Sequence, residues 1–220
     1  MFRRTLSFRC KWPSPNLTSN VERIVQGLRS SKESVSVAET SSGGLISASL
    51  LSTKHSTPQF NGSGVRLPVG ISTVSTERGR QAVSDYLSVH WGGEDDRKNE
   101  IKGLNWQMVY PTAKDAEEPI LGTAVHALEL AHAAKFNLKT AWGIGESGHT
   151  TLHPKSGIPA GTCFVAVAGP CANTTGVLRL DPVREEVGGG REKVIDHMVR
   201  FTEAAVDLMR HLMDKRKPTF

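Results

Sequence analysis

Cysteine is scarce in this sequence of 220 residues, and its three copies, Cys10, Cys163 and Cys171, form no C-x-x-C pair. That excludes a disulfide framework or a zinc ribbon as the organising principle. Long hydrophobic runs are missing too: no apolar stretch approaches the ~20 residues that span a bilayer, so no transmembrane helix is expected. Aromatic residues make up only 6% of the chain and are not interleaved with its basic residues, which argues against a nucleic-acid surface despite a net charge of +5. The positive charge instead gathers at the two ends, with Arg3, Arg4, Arg9 and Lys11 at one and Lys215, Arg216 and Lys217 at the other. Charged ends of this kind are mainly solvated. The sequences G-x-x-x-x-G-K-[ST], G-x-S-x-G and G-x-G-x-x-G are absent, which removes the better-known phosphate loops and nucleophile elbows.

Acidic residues are missing from the start of the chain until Glu22, while basic residues, Ser and Thr are frequent there. Residues 1–18 therefore read as a basic tail with the composition of a mitochondrial transit peptide; the alternative is a cytoplasmic protein with a solvated tail. Pro13 and Pro15 limit any helix in that tail. The remaining composition, 38% hydrophobic and 22% charged, fits a single globular domain, expected over 19–214 with a basic tail at 215–220.

Hydrophobic periodicity supplies the elements. Ser19 and Glu22 have capping-box spacing, and Val21, Ile24, Val25 and Leu28 follow at helical intervals, predicting a helix over 19–30. Val35-Ser36-Val37-Ala38 reads as a buried strand that runs into Gly43-Gly44 and a second helix carrying Leu45, Ile46, Ala48, Leu50 and Leu51. Val65, Leu67, Val69 and Ile71 alternate as a strand does, and Pro68 places it at a sheet edge. A helix is predicted over 78–89, a polar solvated insertion over 91–112, and a regular helix over 116–134 with Ile120, Leu121, Ala124, Leu128 and Ala131 on one stripe. His126 and His132, six apart, do not share a face and so make no metal pair. Strands over 139–145, 161–168 and 175–180 and a long last helix over 191–213 complete a layered α/β fold.

Three segments could carry chemistry. The turn Ala38-Glu39-Thr40-Ser41-Ser42-Gly43-Gly44 brings backbone N–H groups and three hydroxyls to the start of a helix. Thr40 and Ser42 are candidate nucleophiles if a base lies within reach, and Ser41, Gly43 and Gly44 are candidate ligand contacts; the plain alternative is a helix N-cap. A long glycine-bearing loop from Gly143 through His153 to Pro159-Ala160-Gly161-Thr162 adds Gly143, Gly161 and Thr162 as ligand contacts. Glu146, His149 and His153 in that loop make a poor metal set, since i, i+4 histidines suit a helix and Gly148, Pro154 and Gly157 interrupt one. Gly188-Gly189-Gly190 leads into Arg191, a natural bidentate partner for phosphate or a solvated helix entry. No metal or cofactor is expected.

In this order the segments resemble the C-terminal domain of the competence/damage-inducible CinA family, which includes stand-alone nicotinamide mononucleotide deamidases. The family's A-E-S-[CT]-[TA]-G-G-L is similar to Ala38-Glu39-Thr40-Ser41-Ser42-Gly43-Gly44-Leu45, its later glycine and proline segments to Trp142-Gly143-Ile144 and Pro159-Ala160-Gly161-Thr162, and its G-x-R to Gly189-Gly190-Arg191. The resemblance implies a three-layer α/β/α sandwich, a homo-oligomer or a place in a larger complex, and hydrolysis of the nicotinamide amide to nicotinic acid mononucleotide and ammonia. The departures fall on the chemistry: Thr40 stands at the nucleophilic serine, Leu67 and Ser72 at the tyrosine and general-base lysine, and Gly145-Glu146-Ser147 at A-G-P. The expected outcome is lost or altered amidase activity, the alternative being a non-catalytic structural or binding subunit of a mitochondrial assembly.

Overall fold

In a computed structural model, the described residues are 13–53, 60–65, 106–108, 122–152, 158–182 and 191–216. The first helix, α1, spans Pro15–Ser31. It begins earlier than the capping-box spacing at Ser19 predicts, because the N-cap is Ser14, whose Oγ accepts the Leu17 N–H at 3.2 Å. Pro15 does not break a helix here; it starts one, at a position where its missing N–H costs nothing and its fixed φ is already helical. Residues 15–18 are thus the first turn of α1, with Ser14 as its cap. Ser14 also donates to Glu203 at 2.8 Å, and Arg23 pairs with Asp214 at 3.3 Å, so α1 is stitched to the other end of the fold.

The chain continues through β1 (Val35–Glu39), α2 (Leu45–Leu51), β2 (Phe60–Val65), β3 (Trp106–Met108), α3 (Ala124–Asn137), β4 (Trp142–Gly148), β5 (Cys163–Ala168), a single 3₁₀ turn at Ala172–Thr174, β6 (Gly176–Leu180) and α4 (Arg191–Asp214). The six strands form one sheet in the order β2-β1-β4-β5-β6-β3. β1 is parallel to both β2 and β4, whereas β4, β5, β6 and β3 run antiparallel in succession.

Residues alternate strictly across the central strands. Val35, Val37, Trp142, Ile144, Cys163, Val165 and Val167 face a large core shared with α1, α2 and α4. Ala166, Ala168 and Val177 face α3 on the other side. The result is the expected three-layer α/β/α sandwich. On β4 the α3-facing positions are glycines: a Cβ at Gly143 would lie 2.0 Å from the Ala131 carbonyl oxygen, and one at Gly145 would lie 2.0 Å from that of Ala127. Their absent side chains let the helix backbone rest directly on the strand.

Several boundaries differ from the sequence reading. Trp106–Met108 pairs with β6 at the sheet edge, so this part of the stretch read as a solvated insertion over 91–112 is sheet. The helix read from 116 has its N-cap at Thr123, and residues 116–121 lie outside the described residues, as do 1–12, 66–71 and 78–89. The strand read from 139 starts at Trp142, because Lys139 takes a left-handed φ of 52° and the Thr140 hydroxyl turns back to the Trp142 carbonyl at 2.7 Å. The stretch read as a loop from Gly143 is, up to Gly148, the fully buried strand β4. Among the described residues no helix is long and apolar enough to cross a membrane.

Candidate functional site

β1 delivers its last residue, Glu39, to the base of the hydroxyl turn. Gly43 and Gly44 then take left-handed φ values of 63° and 97°, which allow the chain to reverse into α2. The Glu39 carboxylate caps that helix: Oε2 accepts the Ile46 N–H and Oε1 the Ser47 N–H, each at 3.2 Å, and the Ser47 hydroxyl also donates to Oε1. The Ser42 Oγ stands 2.7 Å from Glu39 Oε2.

A second carboxyl comes from the neighbouring parallel strand. Glu146 Oε2 accepts the backbone N–H groups of Thr40 and of Ser42, both at 2.9 Å, and lies 2.9 Å from Ser42 Oγ. Thr40 Oγ1 donates to the Glu146 carbonyl oxygen at 3.2 Å, and the Ser41 hydroxyl donates to the Gly148 carbonyl. Glu39, Ser42 and Glu146 are wholly buried and Thr40 is 4% exposed. Burial pushes the Glu146 carboxyl above the usual glutamate range, against the hydrogen bonds from Ser42 and Thr40 that favour its charged form. The Cys163 thiol, 3.5 Å from Glu146 Oε1, is pushed well up by the same burial and by that carboxyl.

The turn therefore does present N–H groups suited to an anion, as its sequence indicates, but the chain's own Glu146 fills them. Sequence reasoning placed Glu146 in a loop and in a weak metal set. The signal that finds it is the period of two from Trp142: Trp142, Ile144, Glu146 and Gly148 share one face and Gly143, Gly145 and Ser147 the other.

The other expected contacts separate into two groups. Gly161 has a φ of 83°, and its N–H donates to the His149 carbonyl at 2.7 Å, while the His149 N–H donates to the Thr162 carbonyl at 2.8 Å. A Cβ at Gly161 would meet the His197 ring at 2.9 Å, and one at Gly43 would meet the Met198 methyl at 2.6 Å, so both glycines abut the same turn of α4. Thr162 is 5% exposed and its Oγ1 has no hydrogen-bond partner among the described residues. Arg191 opens α4. Gly143 is not with this group: it lies on the sheet's other face, packed on α3. Leu67, Ser72 and His153 lie outside the described residues.

On the α3 face, Ser147 Oγ accepts the Gly122 N–H and lies 2.7 Å from His126 Nδ1. It ties the segment ahead of α3 to the sheet. Ser147→Ala leaves the buried Gly122 N–H without its acceptor and is expected to cost about 1–3 kcal/mol in a urea-denaturation measurement. His132, by contrast, stacks on Phe136 at 6.2 Å between centroids, and burial together with Lys135 brings its pKa down to about 4, so it packs as a neutral ring.

No protein-family model matches the chain, and no curated protein sequence does either. Its fold, however, is similar to that of several solved structures. The competence/damage inducible protein CihA from Agrobacterium tumefaciens superposes with a TM-score of 0.55 at 16% identity, covering 90% of this chain and 95% of that one. The competence damage-inducible protein A (ComA) from Klebsiella pneumoniae gives 0.57 at 16% identity, covering 92% and 99%. A CinA superfamily protein from Escherichia coli gives 0.55 at 17% identity, covering 88% and 90%.

Proposed function

We propose that this CinA-fold domain is a non-catalytic binding or structural subunit and does not hydrolyse nicotinamide mononucleotide. Hydrolysis by a hydroxyl needs a nucleophile that substrate can touch, a base, and free donors for the oxyanion. The observation that carries the reading is the Glu146 carboxyl, which holds both turn N–H groups at 2.9 Å and crowds a Ser42 that is wholly buried. The Thr162 hydroxyl beside Gly161, which has no partner among the described residues, supports a binding role, since a buried hydroxyl without a partner is costly unless something meets it. The basic first residues, which fit a mitochondrial presequence, support placing that role in a mitochondrial assembly.

The competing reading is an amidohydrolase in which Glu146 replaces the missing base. Its support is the 2.9 Å separation of Glu146 Oε2 and Ser42 Oγ, and the 3.4 Å separation of Oε1 and Thr40 Oγ1. Ammonia release from nicotinamide mononucleotide by the full chain decides between them, with Thr40→Ala and Ser42→Ala measured in parallel. The expected result is no release above the rate without protein in all three. Release by the wild type that either substitution abolishes would overturn the non-catalytic reading.

A further inference from the structure

The Ser42 hydroxyl has a single hydrogen, yet it stands 2.7 Å from Glu39 Oε2 and 2.9 Å from Glu146 Oε2. It can donate to only one of them. The second contact needs a hydrogen supplied from the carboxyl side, because two bare oxygens of an ionised carboxylate and a hydroxyl repel at that distance.

One of the two carboxyls carries that hydrogen. Arg200 of α4 acts on Cys163, while Glu146 itself is surrounded by Glu39 of β1, reached through Ser42, by the Thr40 and Ser42 hydroxyls of the turn and by the Cys163 thiol of β5. No ion pair among the described residues neutralises it, and it is wholly buried. A wholly buried Glu146 that is joined through one hydroxyl to a second carboxyl is costly to ionise.

We propose that Glu146 is a built-in ligand of the hydroxyl turn, locked in place by one proton that it shares with Glu39 through Ser42. The inference deepens the non-catalytic reading and rests on it: while the proton is held, the Thr40 and Ser42 N–H groups are closed to any outside carboxylate or phosphate. Losing the proton puts two negative charges against one hydroxyl and favours opening of the turn.

The test is a carboxyl-carbon NMR titration of the full wild-type chain, with Glu39 and Glu146 assigned by through-bond correlation so that no folded variant is required. One of the two carboxyls should stay protonated to a pH above the usual glutamate range, and the amide protons of Thr40 and Ser42 should move with the same midpoint when it ionises. Two carboxyls that both ionise within the usual glutamate range with the turn amides in place would overturn the proposal. Thermal unfolding gives a second readout. A raised folded-state carboxyl contributes stability that is complete below the unfolded value and is lost as pH rises through the folded one, so the wild-type midpoint should fall as pH rises from the ordinary glutamate range through the raised folded-state value. Glu146→Gln should flatten that fall; a variant curve parallel to wild type would count against the lock, and a variant that does not fold leaves the NMR titration to decide. The ammonia assay stays separate: a chain that keeps the proton and still releases ammonia loses only the functional reading, and an inert chain with both carboxylates ionised loses only the lock.

Discussion

Replacing Gly145 with alanine is expected to destabilise the protein by about 3 kcal/mol or more, through overpacking that side-chain movement cannot relieve. The new Cβ would lie 2.0 Å from the Ala127 carbonyl oxygen and 2.4 Å from the Ala131 nitrogen, both backbone atoms of α3. Only a shift of the whole helix away from β4 makes room, and Ala127 and Ala131 are wholly buried in the small core that such a shift would open. With a total stability of about 5–15 kcal/mol for a domain of this kind, a loss of this size is readily measured as a lower urea midpoint. Gly27→Ala is the matching control. There the Cβ would meet only the Met213 methyl, at 2.8 Å, the movable end of a flexible side chain. Gly27 also lies inside α1, where alanine is the better helix former by about 1 kcal/mol, so its effect should be small or favourable. Equal losses at the two positions would refute the close-packing argument.

The second large effect is expected at Glu146. Alanine there removes the acceptor of the Thr40 and Ser42 N–H groups and leaves a gap between β1 and β4. Each buried donor left unmet costs about 1–3 kcal/mol, so a loss of about 3 kcal/mol is expected near pH 6. Glutamine keeps a carbonyl oxygen for both N–H groups and removes only the ionisable proton, and its loss at the same pH should stay under about 1 kcal/mol. The alanine deficit should shrink as pH rises, because the wild type alone loses stability when a buried carboxyl with a raised titration point ionises. Matching losses for alanine and glutamine would mean that the turn does not depend on the Glu146 oxygen.

The sequence made α4 and β6 legible because their apolar spacing is regular and their surroundings simple; the observed spans Arg191–Asp214 and Gly176–Leu180 differ from the expected ones by one residue at an end. The hydroxyl turn was legible from its two glycines, both of which do adopt left-handed φ. Glu146 was not, and the reason is physical. Glycine usually marks a flexible loop, so Gly143, Gly145 and Gly148 around it read as a binding loop; two of them instead admit the backbone of α3, an approach that depends on a partner some 15 residues away in sequence. A carboxylate flanked by glycines looks solvated until the neighbouring strand is known to bring two N–H groups to it. The start of α1 was misplaced for a similar reason, since Pro15 serves equally as a breaker and as a first helical residue, and the Ser14 cap on the Leu17 N–H shows which.

The pairing of the first helix with the last also has a cost in time. Leu17, Val21, Ile24, Val25 and Leu28 of α1 share their core with Phe201, Ala205, Leu208, Met209 and Leu212 of α4. Residues 32–190 are synthesised between them, which at about 5–20 residues per second takes about 8–30 s. Throughout that interval the apolar stripe of α1 has been made and its cover has not. Nascent chains stalled before α4 emerges should therefore present this stripe to chaperones, and the completed helix should be what releases them.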